Sequence, residues 1–217
     1  TIPKPEKNWI QIFCEGLGLP YNPDIPYKVT DEEKDFAHDV LKLDENKDKF
    51  KVLMLTNTSN ANNGLAPEIW SKSNTFLGKY DDILRIVIGT EKDCDMIDGD
   101  IKIACIRLRQ IIALASTVDC IVTSDDSYLY LANVLPHVKM VFICSHRKHK
   151  FNLLFDNVEF VTNESRFPCA PCWKSDSQTC RVSGSNRARC HDAITHSEIF
   201  NKILRVKKAL DKQKMST

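Results

Sequence analysis

The spacing of apolar positions changes character near residue 50. Before it, Trp9, Ile12, Phe13 and Leu17 recur at helical intervals within residues 6–18, and Gly16 and Gly18 end the pattern. A Pro-rich connector follows. Thr30 then precedes DEEKDFAHDVLKL with Glu33 three positions on, and acidic residues crowd the first turn, which predicts a capped helix over residues 31–43. From residue 50 onward, compact apolar runs alternate with amphipathic ones. FKVLMLT (50–56), ILRIVIG (83–89), IKIACI (101–106), DCIVTSD (119–125), VKMVFICS (138–145) and VEFVT (158–162) read as strands. Helices are predicted over APEIWSKSNTFLGKY (66–80), LRQIIALAST (108–117) and SYLYLANVL (127–135), with an acidic loop between residues 90 and 100.

Strands that alternate with helices imply right-handed crossovers and a parallel sheet covered on both faces. The predicted fold is α/β, a Rossmann-like doubly wound domain over residues 1–163. Residues 164–217 form a second segment, a cysteine-rich knuckle followed by the helix HSEIFNKILRVKKALDKQK packed on that domain.

Composition narrows the partners. No run approaches the roughly 20 apolar residues that span a bilayer, so a soluble chain is expected. With 30 Lys and Arg against 29 Asp and Glu, no overall field draws the chain to nucleic acid or an anionic surface. The basic HRKHK run (146–150) and the Arg-rich knuckle are not interleaved with stacking aromatics apart from Trp173, which argues against nucleic acid. The chain opens Thr-Ile-Pro without an apolar signal segment, so a cytoplasmic setting and a preceding portion or domain are expected. An odd total of nine cysteines points the same way, and Cys14, Cys94, Cys105, Cys120 and Cys144 read as reduced, small apolar residues.

The other four cysteines are spaced Cys169-x2-Cys172-x7-Cys180-x9-Cys190. A Cys-x2-Cys pair turns two sulfurs to one ion, and two further thiolates complete a tetrahedral set for zinc or a single iron. Arg181, Arg187, Arg189 and Lys174 offset the thiolate charge. Two disulfides or four unligated thiols are the competing readings, with His191 and His196 as substitute ligands. A closed four-sulfur site is structural, folding a loop that has little core of its own.

In doubly wound sheets, ligands bind beyond the carboxyl ends of the strands. Two loops meet that description. Thr56, Asn57, Thr58, Ser59 and Asn63 belong to a stretch of small and amide side chains, ending at Gly64, that can approach a diphosphate closely. Ser124, Asp125, Asp126 and Ser127 follow the strand at 119–125, where Asp125 is placed to cap a helix.

The succession TNTSNANNG, IVTSDDSYLYLANVL, KMVFICS, CAPCWKSDSQTC and RCHDAITHSEI resembles the C-terminal half of the family 9 glycosyltransferases, the heptosyltransferase family, over about residues 6–210. That family's Asp-Thr-Gly segment and following His and Leu-Ala fall here on Asp125, Asp126, Ser127, Tyr130, Leu131 and Ala132. The resemblance implies the nucleotide-sugar half of a B-type glycosyltransferase. It further implies inverting transfer to a glycan or protein acceptor, with the general base on an acceptor domain outside this sequence. A four-Cys finger holding zinc or iron is similar to that of the family's autotransporter heptosyltransferases. Asp126, Ser127 and Tyr130 stand where the family carries Thr, Gly and His. A non-catalytic scaffold that keeps the fold is therefore the competing reading, with the knuckle and basic C-terminal helix as a contact surface for a protein partner or a second copy.

Overall fold

A computed structural model describes residues 14–20, 27–57, 64–124, 126–144, 156–163, 166–169, 179–184 and 189–215. Six parallel strands form one sheet: β1 (Phe50–Leu55), β2 (Ile83–Gly89), β3 (Ile101–Ala104), β4 (Cys120–Thr123), β5 (Lys139–Ile143) and β6 (Val158–Val161). Their order is β3-β2-β1-β4-β5-β6, the doubly wound arrangement expected from the alternation. The chain steps outward from β1 through β2 to β3, then returns to lay β4 on the other side of β1. The winding reverses between β1 and β4.

The central strands β1, β2, β4 and β5 are buried on both faces and their apolar residues divide between two cores, while the edge strands β3 and β6 are only partly buried and carry Lys102 and Glu159. Leu53, Leu55, Ile86, Ile88, Ile121, Met140 and Phe142 enter one core cluster. Val52, Met54, Val87, Cys120, Val122, Val141 and Ile143 enter the other. The first is covered by α1 (Asp31–Leu41), α4 (Leu108–Ala115), α5 (Asp126–Leu129) and α6 (Leu131–Val134). The second is covered by α2 (Pro67–Leu77) and by α8 (His196–Lys214), which follows the short α7 (Arg189–Asp192); α8 contributes Ile199, Ile203 and Val206 to that core.

Two segments differ from the sequence reading. The acidic stretch after β2 contains a helix, α3 (Glu91–Met96), started by a capping box in which Thr90 accepts from the Asp93 amide and Asp93 bonds back to Thr90 N. The Thr-x-x-Asp signal outweighs its lack of an apolar stripe. Conversely, the helix expected over 127–135 is two four-residue pieces, α5 and α6, joined through Tyr130. Tyr130 at the junction keeps a right-handed helical backbone, φ -67 and ψ -14, and is 44% exposed, while Leu129, Leu131 and Ala132 are buried on the opposite side. The helix expected over residues 6–18 lies mostly outside the described residues; its end is present, with Gly18 in the left-handed region at φ 68.

The predicted capping box of α1 is formed, Thr30 accepting from the Glu33 amide at 3.3 Å and Glu33 from Thr30 N at 2.9 Å. Glu33 also accepts from Arg109 Nε on α4 at 2.6 Å and from the Tyr27 hydroxyl at 3.2 Å. Arg109 first, then the Thr30 amide, hold its carboxyl down to about 2 from an ordinary 4.5. A depressed carboxylate stabilises the fold fully above its unfolded pKa and loses that contribution as pH falls through the folded one. In thermal melts from pH about 6 to about 2, Glu33→Gln is expected to flatten the fall in stability below pH 4.5.

Candidate functional site

In doubly wound sheets the carboxyl edge at such a reversal, here between β1 and β4, is where ligands bind. The loop after β1 and the loop after β4 leave from its two sides. They touch: the Tyr128 hydroxyl, on α5, donates to Asn57 Oδ1 at 3.3 Å. Tyr128 was not singled out by sequence, where it sits inside an apolar-looking SYLYL run beside Tyr130. Its partly buried ring ties the two loops, whereas Tyr130 faces outward at 44% exposure.

Thr56 is buried, its backbone N–H and its hydroxyl both donating to the Ile88 carbonyl, at 2.9 and 3.2 Å. Its hydroxyl proton is thus used to stitch β1 to β2, leaving only acceptor capacity toward a ligand. Gly89 makes this possible: a Cβ there would collide with Thr56 Oγ1 and come within 2.7 Å of Asp93 Cβ. Gly89 read from sequence only as the end of a strand. Ser124, at the end of β4, is 1% exposed, and its hydroxyl finds no partner among the described residues. Ser127 is exposed. Thr58, Ser59, Asn63 and Asp125 lie outside the described residues, as does the side chain of Asp126.

The helix that follows β1 suits an anion better than the one that follows β4. α2 runs for 11 residues, starts with Pro67, and its N-cap Ala66 offers no side-chain hydrogen bond to the first-turn amides. By contrast α5 is four residues long, too short to build an appreciable dipole. Glu68 in the first turn of α2 is the unfavourable charge.

The cysteine segment is only partly described, since Cys172 lies outside the described residues. Among the described residues no three His, Cys, Asp or Glu side chains gather to hold a metal. Cys169 is exposed and Cys190 buried, with the Cys190 carbonyl accepting from Asn163 Nδ2 at 3.0 Å. Cys180 nevertheless has the surroundings of a thiolate. Partial burial pushes its pKa up, but bonds from the Arg189 amide, the Ser183 hydroxyl and the Ser183 and Val182 amides outweigh this and bring it to about 7. Converging amides on sulfur are the donor chemistry a metal thiolate requires, so this residue fits the group.

No family model and no curated protein sequence matches this chain. Solved structures do. The family 9 glycosyl transferase of Veillonella parvula superposes with a TM-score of 0.66 at 11% identity, over 95% of this chain and 62% of that one. The ADP-heptose LPS heptosyltransferase II of E. coli gives 0.61 at 11% identity, over 86% of this chain and 54% of that one. The fold is glycosyltransferase-like. At this identity the likeness concerns the fold alone, and this chain spans less than two thirds of either structure. Within the glycosyltransferase-like fold, the carboxyl edge at β1 and β4 is the place where the winding reverses and both loops with small polar side chains meet. No described helix is long and apolar enough to cross a membrane.

Proposed function

We propose that this chain is the nucleotide-sugar-binding half of an inverting glycosyltransferase, its donor held across the β1/β4 reversal. The supporting observation is the bridge from Tyr128 to Asn57, which joins the two loops at the reversal. In this reading the donor is bound by Thr56, Asn57, Thr58, Ser59 and Asn63 of the segment after β1 and by Asp125, Asp126, Ser127 and Tyr130 of the segment after β4. The E. coli neighbour is named for ADP-heptose, so an ADP-linked sugar is the first donor to test.

In this reading the acceptor and its general base belong to a second domain. The acceptor hydroxyl attacks the anomeric carbon as the bond to the diphosphate breaks, and the proton passes to that base. The departing charge is met by the positive end of the α2 dipole, which is fixed before the reaction and costs no reorganisation. Calorimetric titration with ADP, UDP, GDP and their sugars is expected to show binding of at least one. Asn57→Ala and Tyr128→Phe should each weaken it by about three- to tenfold, one hydrogen bond's worth. Silence for every nucleotide with unchanged melting would leave the non-catalytic scaffold as the reading.

We propose further that Cys169, Cys172, Cys180 and Cys190 hold one zinc or iron. Such an ion would supply folding energy to the segment and take no part in transfer. Metal analysis of the purified protein should find about one equivalent, lost together with ordering of the segment on chelation. Four freely titratable thiols in a protein free of metal would refute the assignment.

A further inference from the structure

The outer surface of α2 and α8 is built unlike the rest of the molecule. The two helices lie side by side on one sheet face, and their seam is aromatic. The Phe76 ring lies 5.0 Å from that of His196 and 5.7 Å from Phe200, and Tyr80 lies 6.0 Å from Phe200. Phe76 and Tyr80 remain 36% and 41% exposed. Cations surround them. Lys72 is exposed on the same side of α2 as Phe76, four positions before it, and Lys79, just past the end of the helix, is exposed with its ammonium 4.6 Å from the Phe76 ring centroid. α8 carries six Lys or Arg against two Asp or Glu. Lys202 is spent on Glu159, and Lys207 on Asp82 and Asp211. Arg205 and Lys208 point outward instead, exposed and without an ion-pair partner among the described residues. The exposed carboxylates Glu68 and Asp81 mark the two ends of α2.

Among the described residues, exposed cations without ion-pair partners and two exposed aromatic rings thus share the outer side of α2 and α8. The occupant is anionic, and two details select its class. Phe76 cannot serve as a stacking platform for a nucleobase, because His196 stacks on it and the Lys79 ammonium sits 4.6 Å from the ring centroid. The outward cations are mostly lysines, which are depleted from the desolvated centre of protein interfaces but keep their heads hydrated at a lipid headgroup layer while their stems cover apolar surface. Exposed aromatic rings suit the same layer.

We propose that the α2/α8 surface docks the protein reversibly on an anionic lipid bilayer, Phe76 and Tyr80 entering the headgroup region and Lys72, Lys79, Arg205 and Lys208 meeting the lipid phosphates. The inference is independent of the nucleotide site, which lies at the carboxyl edge of the sheet.

The test is co-sedimentation of the intact chain with phosphatidylcholine vesicles made with and without phosphatidylglycerol. Binding is expected only with the anionic lipid, and should fall as added salt shortens the screening length. Each cation near such a surface strengthens binding roughly fivefold, so Arg205→Glu with Lys208→Glu should weaken it by at least about 25-fold. Phe76→Ser with Tyr80→Ser should weaken it several-fold. Lys28→Glu with Lys47→Glu changes net charge identically in the part of the chain around α1, on the other sheet face, and should leave binding nearly intact. All four positions are exposed, so unchanged melting temperatures confirm that folding is preserved. Equal loss in the two charge-reversed pairs would show that net charge alone is sensed and overturn the proposal. So would absence of anionic-vesicle binding, including the case where a nucleic acid or an acidic peptide binds instead with the same sensitivity to Arg205 and Lys208.

Discussion

Replacing Asn157 with Leu is expected to cost about 3 kcal/mol of stability, the summed penalty of roughly two buried carbonyls left without donors. Asn157 is 7% exposed, just ahead of β6. Its amide Nδ2 lies 3.0 Å from the Ala132 carbonyl, 3.3 Å from Leu135 and 2.8 Å from Val138, so two hydrogens serve three acceptors. Its own carbonyl accepts from Met140 N at 2.9 Å, starting the β5–β6 ladder. One side chain thus terminates α6, shapes the turn into β5 and fixes β6 against it. Leu has nearly the same volume, so the substitution removes the donors without opening a cavity. Urea unfolding should show a lower midpoint with an unchanged slope, because the area exposed on unfolding stays the same. A loss below about 1 kcal/mol would mean that the three carbonyls find other donors.

Asn157 also shows where sequence reading stops. The central strands were legible because they are buried on both faces: Val52 and Met54 serve one core, Leu53 and Leu55 the other, and a run such as FKVLMLT has few alternatives. The capped helix α1 was legible because Thr30/Glu33 is a local signal. The same signal at Thr90/Asp93 went unread because α3 has six residues and too little apolar surface to register as a period. The carboxyl-edge loops were found from their composition, and the order of the strands then placed them at the reversal. What composition could not supply was the pairing of Tyr128 with Asn57, 71 positions apart. Neither could it show that Thr56 spends its hydroxyl proton on Ile88, a bond that depends on the register of β1 against β2 and on the room left by Gly89. Long-range partners of polar side chains carry no local period. The spacing of the four cysteines suggested a metal site, of which Cys172 lies outside the described residues.

The second large effect is expected at Trp70, and a pair of substitutions separates its causes. Trp70 is 1% exposed in the first turn of α2 and belongs to the core cluster that contains Met54 of β1, Val122 of β4 and Ile143 of β5. Trp70→Ala should cost about 3–5 kcal/mol, the transfer energy of the ring plus the cavity it leaves. The indole N–H, however, is buried without a partner among the described residues. An unsatisfied donor is a standing cost, so Trp70→Phe, which keeps most of the apolar contact and removes the donor, should lose no more than about 1 kcal/mol. The two variants also divide on function. Trp70 anchors the helix that follows the Thr56–Gly64 loop, so its truncation frees the start of α2 to shift relative to β1. Trp70→Ala is therefore expected to weaken nucleotide binding beyond the loss in Tyr128→Phe, even at temperatures where the variant is folded, while Trp70→Phe keeps it. Equal destabilisation by Ala and Phe would show that the N–H, and not the volume, is what holds the helix in place.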